Sequence, residues 1–143
     1  MNSPRRGVTL IEMLLVVAIV GLMAGLTLPS VASGLDSIRL HSAADSVASF
    51  LSAAANRAER RQQVMEVILN PKENSIQLYS TEPGYARKLD MPAGVKLMGD
   101  EPRRFVLMPG GTAPRIAIEL SNARGAHRTI RIDPVTGVPE ITP

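Results

Sequence analysis

An apolar run from Val8 to Leu28, broken only by Thr9, Glu12 and Thr27, constrains this chain more than any other feature. Wound as an α-helix at about 1.5 Å per residue it measures about 32 Å, enough to cross a hydrocarbon core of about 30 Å. Arg5 and Arg6 stand just before it and no acid precedes them. The basic flank is therefore expected to stay cytoplasmic and to send the C-terminal body across the membrane. Two simple readings fit the run itself: a secretory signal peptide cut after Ser30-Val31-Ala32, or a plain membrane anchor. Neither accounts for Glu12. An ionised carboxylate costs about 2.5–3.5 kcal/mol at the centre of a span, and less near an end, so one that is kept there calls for a partner.

The residues around it, Gly7-Val8-Thr9-Leu10-Ile11-Glu12, resemble the processing site of type IV prepilins and of the pseudopilins of type II secretion. The resemblance implies cleavage between Gly7 and Val8 by a prepilin peptidase on the cytoplasmic side. It also implies methylation of the new N-terminus at Val8 and retention of the apolar helix as the spine of a filament. Members of the family usually carry phenylalanine where this chain has Val8. Cleavage would leave an α-amino cation at Val8, with Glu12 about 6 Å further along the helix axis. A neighbouring subunit displaced by that step would bring its amine to this carboxylate and neutralise both charges in a dry environment. Gly21, Gly25 and Pro29 follow at intervals of four on one helical face. Such spacing lets helix backbones approach closely. Glycine also costs a helix about 1 kcal/mol against alanine and proline about 3, and the corresponding stretch of pilin filaments unwinds on assembly. The two readings are compatible.

Beyond the apolar run the chain reads as four segments: a leader peptide over 1–7, a transmembrane spine helix over 8–29, an amphipathic helix within 30–64 and a β-rich domain over 65–143. The amphipathic helix is expected over Ile38–Gln63, where Leu40, Ala44, Val47, Leu51, Ala54 and Ala58 recur at helical spacing. Ser33-Gly34-Leu35-Asp36-Ser37 is expected to form a soft joint before it, and Arg57, Arg60 and Arg61 a solvated helix end suited to the negative pole of the dipole. After Val64 the periodicity changes to two. Strands are expected at Val64–Leu69, Ser75–Ser80, Val95–Met98, Arg104–Met108, Arg115–Leu120, Arg128–Asp133 and Val138–Ile141, separated by Pro- and Gly-rich turns. The fold class that follows is α+β and pilin-like: a long N-terminal helix, half transmembrane and half amphipathic, packed on an antiparallel β-sheet domain.

The sequence from Arg104-Phe105-Val106-Leu107-Met108-Pro109-Gly110-Gly111 through Ile130-Arg131-Ile132-Asp133-Pro134-Val135-Thr136-Gly137 resembles the domain of the minor pseudopilin H. The same domain is similar to that of minor pilins linked to type IV pili and DNA uptake. The resemblance implies a periplasmic body on a single-pass inner-membrane helix. Its partners would be other pseudopilins, the prepilin peptidase and the inner-membrane assembly platform, and its role the export of folded proteins.

Nucleic acid is the alternative partner, with Arg124, Arg128 and Arg131 as the candidate contacts. The net charge of +3 is mostly the leader's Arg5 and Arg6, however, and four aromatics are too few for a base-stacking platform. No cysteine is present, so thiol and disulfide chemistry is excluded. His41, expected on the helix, and His127, expected in a loop, do not make a catalytic pair, and no serine has the setting of an activated nucleophile. Asp90, Asp100, Glu101 and Asp133 are too scattered for a calcium loop. The expectation is a protein that assembles, with no enzyme activity, no metal and no cofactor.

Overall fold

The computed structural model describes residues 8–82, 84–111 and 114–143, and the side chains of all of these except residues 26–33. The expected leader through Gly7 and the side chain of Pro29 lie outside the described residues. One helix, α1 (Leu10–Arg61), is followed by eight strands: β1 (Met65–Asn70), β2 (Ser75–Ser80), β3 (Ala86–Asp90), β4 (Val95–Leu97), β5 (Arg103–Leu107), β6 (Ala117–Asn122), β7 (His127–Ile132) and β8 (Pro139–Thr142). The class is α+β with antiparallel sheets. The chain divides into two compact units between Leu35 and Asp36.

In the first unit the described side chains from Leu10 to Gly25 are all exposed. Among the described residues no helix is long and apolar enough to cross a membrane. The described side chains of the apolar run stop at Gly25, short of its end at Leu28.

In the second unit Leu40, Ala43, Ala44, Val47, Leu51, Ala54 and Ala58 form one buried stripe of α1. Their spacing of three and four puts them on a single face, and the alanines let the sheets lie close to the helix backbone. Against this stripe pack two four-stranded sheets, ordered β3-β2-β1-β5 and β4-β6-β7-β8. Every neighbouring pair is antiparallel. Alternate residues of β1 (Met65, Val67, Leu69), β4 (Val95, Leu97), β6 (Ile118, Leu120) and β7 (Ile130, Ile132) point inward and complete one core.

Several boundaries differ from the sequence-based expectation, each for a visible reason. The expected soft joint is helical through its described backbone, although the division between the two units falls within it. The helix ends at Arg61 and not at Gln63. Gln62 takes a left-handed backbone (φ 52°), Gln63 N bonds Ala58 O at 3.1 Å and Gln62 N bonds Glu59 O at 3.4 Å, the paired bonds that terminate a helix. Strand β3 was not expected, because Ala-Arg-Lys-Leu-Asp has little β-propensity; it exists as an edge strand in register with β2, Leu78 opposite Arg87. The single sheet domain is two sheets.

Two polar devices join the pieces. The Asn74 side chain accepts a hydrogen bond from Leu97 N and donates one to Val95 O, both at 2.8 Å, so the turn between β1 and β2 clips onto β4. Asp133 accepts bonds from Val135 N, Thr136 N and the Thr136 hydroxyl, which shape the turn before β8 and hold its carboxyl below the ordinary carboxylate range.

Candidate functional site

The N-terminal turn of α1 is built by Thr9 and Glu12. The Thr9 hydroxyl accepts a hydrogen bond from Glu12 N at 3.3 Å, and Thr9 O accepts from Glu12 N at 3.1 Å and Met13 N at 3.2 Å. Thr9 is thus the residue that caps the helix, and Glu12 occupies the third helical position, where a carboxylate favours the positive pole of the dipole. The sequence announces this start with Thr-x-x-Glu, a pattern that the reading of Glu12 as an assembly residue passed over. The two roles use different atoms. The hydroxyl of Thr9 satisfies the Glu12 amide, and among the described residues no hydrogen bond or ion pair engages the Glu12 carboxylate.

Around that carboxylate the helix is apolar on every side. Leu10, Ile11, Leu14, Val17, Val20 and Leu22 are exposed, Leu10 by 80%. A helix apolar all round has its stable place among other helices or in lipid, and an exposed patch of this kind marks an interaction surface. A Cβ at Gly21 or Gly25 would meet nothing within 4 Å, so packing within the chain does not require glycine at either position.

The remaining candidate residues are distributed over the body. Arg124 lies in the turn between β6 and β7, its Nε 3.0 Å from Asp36 Oδ2. Arg128 shares the inward side of β7 with Ile130 and donates to the carbonyl of His127 at 3.2 Å. Arg131 projects from the opposite face of β7, across from Ala117. The three do not form one patch.

Arg57, expected as part of a solvated helix end, is instead a tertiary contact. Its guanidinium stacks 3.6 Å from the centre of the Tyr85 ring and bonds Glu82 at 3.2 Å, while Arg60 and Arg61 are exposed. Glu59 accepts a bond from Gly110 N at 2.8 Å, so the last turns of α1 hold two loops in place. His41 lies beside Asp45 on the exposed side of the helix, and His127 opens β7 instead of lying in a loop. Among the described residues no group of three or more His, Asp or Glu side chains is placed to hold a metal ion.

Comparison with known proteins bears on the first of these regions. Residues 2–28 match the family model of the prokaryotic N-terminal methylation motif. No curated protein and no solved structure matches the chain. The motif is of the prepilin type and implies processing by a prepilin peptidase and assembly with other pilin-like subunits. The matched residues end with the apolar run at Leu28, so the match speaks for the N-terminal helix and not for the β body.

Proposed function

From a chain that carries a prepilin-type methylation motif, we propose a minor pseudopilin of type II secretion, of the pseudopilin H kind. It enters the inner membrane with the leader in the cytoplasm and the β body in the periplasm. It is cut between Gly7 and Val8, methylated on Val8, and added near the tip of a short filament that helps to move folded proteins across the outer membrane. It works by assembly, without catalysis and without a cofactor.

The observation that carries this reading is the coincidence of the motif over residues 2–28 with the first stretch of α1, Leu10–Gly25, in which every described side chain is exposed and none but Glu12 is polar. A carboxylate so placed is costly in lipid until a cation reaches it, and the α-amine that cleavage creates on a neighbouring subunit is such a cation. Gly21 and Gly25, which nothing in the chain itself requires, suit close approach of a neighbouring helix or local loosening of this one.

The experiment has two arms. Mass analysis of the protein from the membrane should find methylated Val8 as the mature N-terminus, and Ser33 there, the residue after the alternative signal-peptide cut, would sink the reading. Glu12→Ala should leave membrane insertion and cleavage intact while cross-linking to other pseudopilins, and secretion in a complemented deletion strain, fall at least tenfold. Normal cross-linking of that variant would remove the charge-pairing mechanism while leaving the family assignment to the first arm.

A further inference from the structure

Three observations meet at residues 34–36. The division between the two compact units falls between Leu35 and Asp36. Gly34 stands just upstream, inside the helix, where a Cβ would meet nothing within 4 Å. Packing does not ask for glycine there, and its effect is to weaken the helix relative to alanine.

Asp36, the first residue of the second unit, is 3.0 Å from Arg124 Nε through its Oδ2 and 3.9 Å from Arg39 through its Oδ1. The Arg124 contact joins residues eighty-eight positions apart. Arg124 is delivered by a turn that Asn122 organises. Asn122 is 8% exposed, and its Oδ1 accepts from Arg124 N at 3.0 Å and Ala126 N at 2.9 Å, while its carbonyl accepts from Gly125 N at 3.1 Å. Gly125 takes the left-handed conformation (φ 80°) that the turn needs.

An exposed ion pair usually contributes little because two long side chains must be ordered to form it. Here one partner sits on a helix and the other on a turn whose backbone is already fixed, so much of that ordering is done. From Asp36 to Arg39 the helix buries no side chain fully, and the core stripe begins only at Leu40. Apolar packing therefore holds this turn weakly, and among the described residues the ion pair is the bond that ties it to the β body.

We propose that Asp36 and Arg124 form a clasp that secures the turn of helix ahead of the core, so that bending or unwinding centred on Gly34 stops there and does not run into the packed helix. Both partners of the clasp belong to the second unit, and the proposal stands whether or not the chain assembles as a pseudopilin.

Hydrogen exchange on the full chain in detergent micelles tests it. In Arg124→Gln the amides of residues 37–40 should exchange about five-fold faster, with those of residues 47–58 unchanged. Reversing both charges, with Asp36→Arg and Arg124→Asp, should restore the slow exchange. On the unmutated chain, raising salt to about 1 M should reproduce the same local acceleration, which covers the case of a variant that folds poorly. Unchanged exchange at residues 37–40 in Arg124→Gln and at high salt, or acceleration spread equally over residues 47–58, would overturn the clasp.

Discussion

Asn74 occupies a left-handed backbone (φ 51°) at the end of the turn between β1 and β2, and that conformation places every polar group it owns against a partner. Its amide N bonds Pro71 O at 3.2 Å, its carbonyl takes Met91 N at 3.0 Å, and its side chain bridges Leu97 N and Val95 O. Asparagine tolerates this conformation better than most residues, and only its side chain offers a donor and an acceptor at that reach. Asn74→Ala would lose two partly buried hydrogen bonds and put alanine in a strained backbone, a combined loss of about 2–4 kcal/mol in denaturant unfolding. Asn74→Asp should lose less, because the Leu97 amide keeps its acceptor and aspartate also tolerates the left-handed backbone; equal losses in the two variants would show that the bond to Val95 O, absent from both, is what matters. Nothing in the sequence near Asn74 singled it out beyond a polar turn, since its side-chain partners lie more than twenty residues away. Thr9 is the opposite case: its capping partner is three residues on, and the pattern was legible.

At the scale of elements the same divide holds. The apolar stripe of α1 and the inward residues of β1, β2, β6 and β7 follow from local periodicity and were readable. Strand β3 was not, because register with β2 rather than its own composition makes it a strand. Nor was the division into two sheets, which depends on which distant strands pair. The end of α1 shows how tertiary need overrides propensity. Arg57 and Glu59 hold the connections on either side, and the chain must leave the helix at Gln62 to begin β1 at Met65. A non-glycine residue in the left-handed region costs about 1–2 kcal/mol, offset here in part by the 2.8 Å bond from Gln62 Nε2 to Glu59 O. Gln62→Gly should therefore raise stability by about 0.5–1 kcal/mol, read as a higher denaturant midpoint with an unchanged slope. A lower midpoint would mean that the side-chain bond outweighs the backbone strain.

For the molecule as a whole, the distribution of charge bears on the nucleic-acid reading that rivals the proposed one. The excess charge of +3 is small, and the arginines that a DNA-binding face would need are engaged or dispersed. Arg124 is held by Asp36, Arg104 lies 3.3 Å from Glu66 and Arg57 bonds Glu82, while Arg128 and Arg131 leave β7 on opposite faces. Tight binding requires several phosphates to be neutralised at once, and each contact steepens the loss of affinity with salt. The purified chain should accordingly bind duplex DNA no better than a weakly basic surface does, with a dissociation constant of about 10⁻⁴ M or weaker at physiological salt. The salt slope should correspond to about one or two phosphate contacts, and Arg131→Ala should barely alter it. A steep slope that falls by about one contact in Arg131→Ala would transfer the chain to the DNA-uptake pili, because it would show cations acting together that the fold holds apart. The exposed apolar helix is indifferent to this outcome: the assembly proposed for it serves either machine, so DNA binding by the β body, not the motif, is the measurement that distinguishes them.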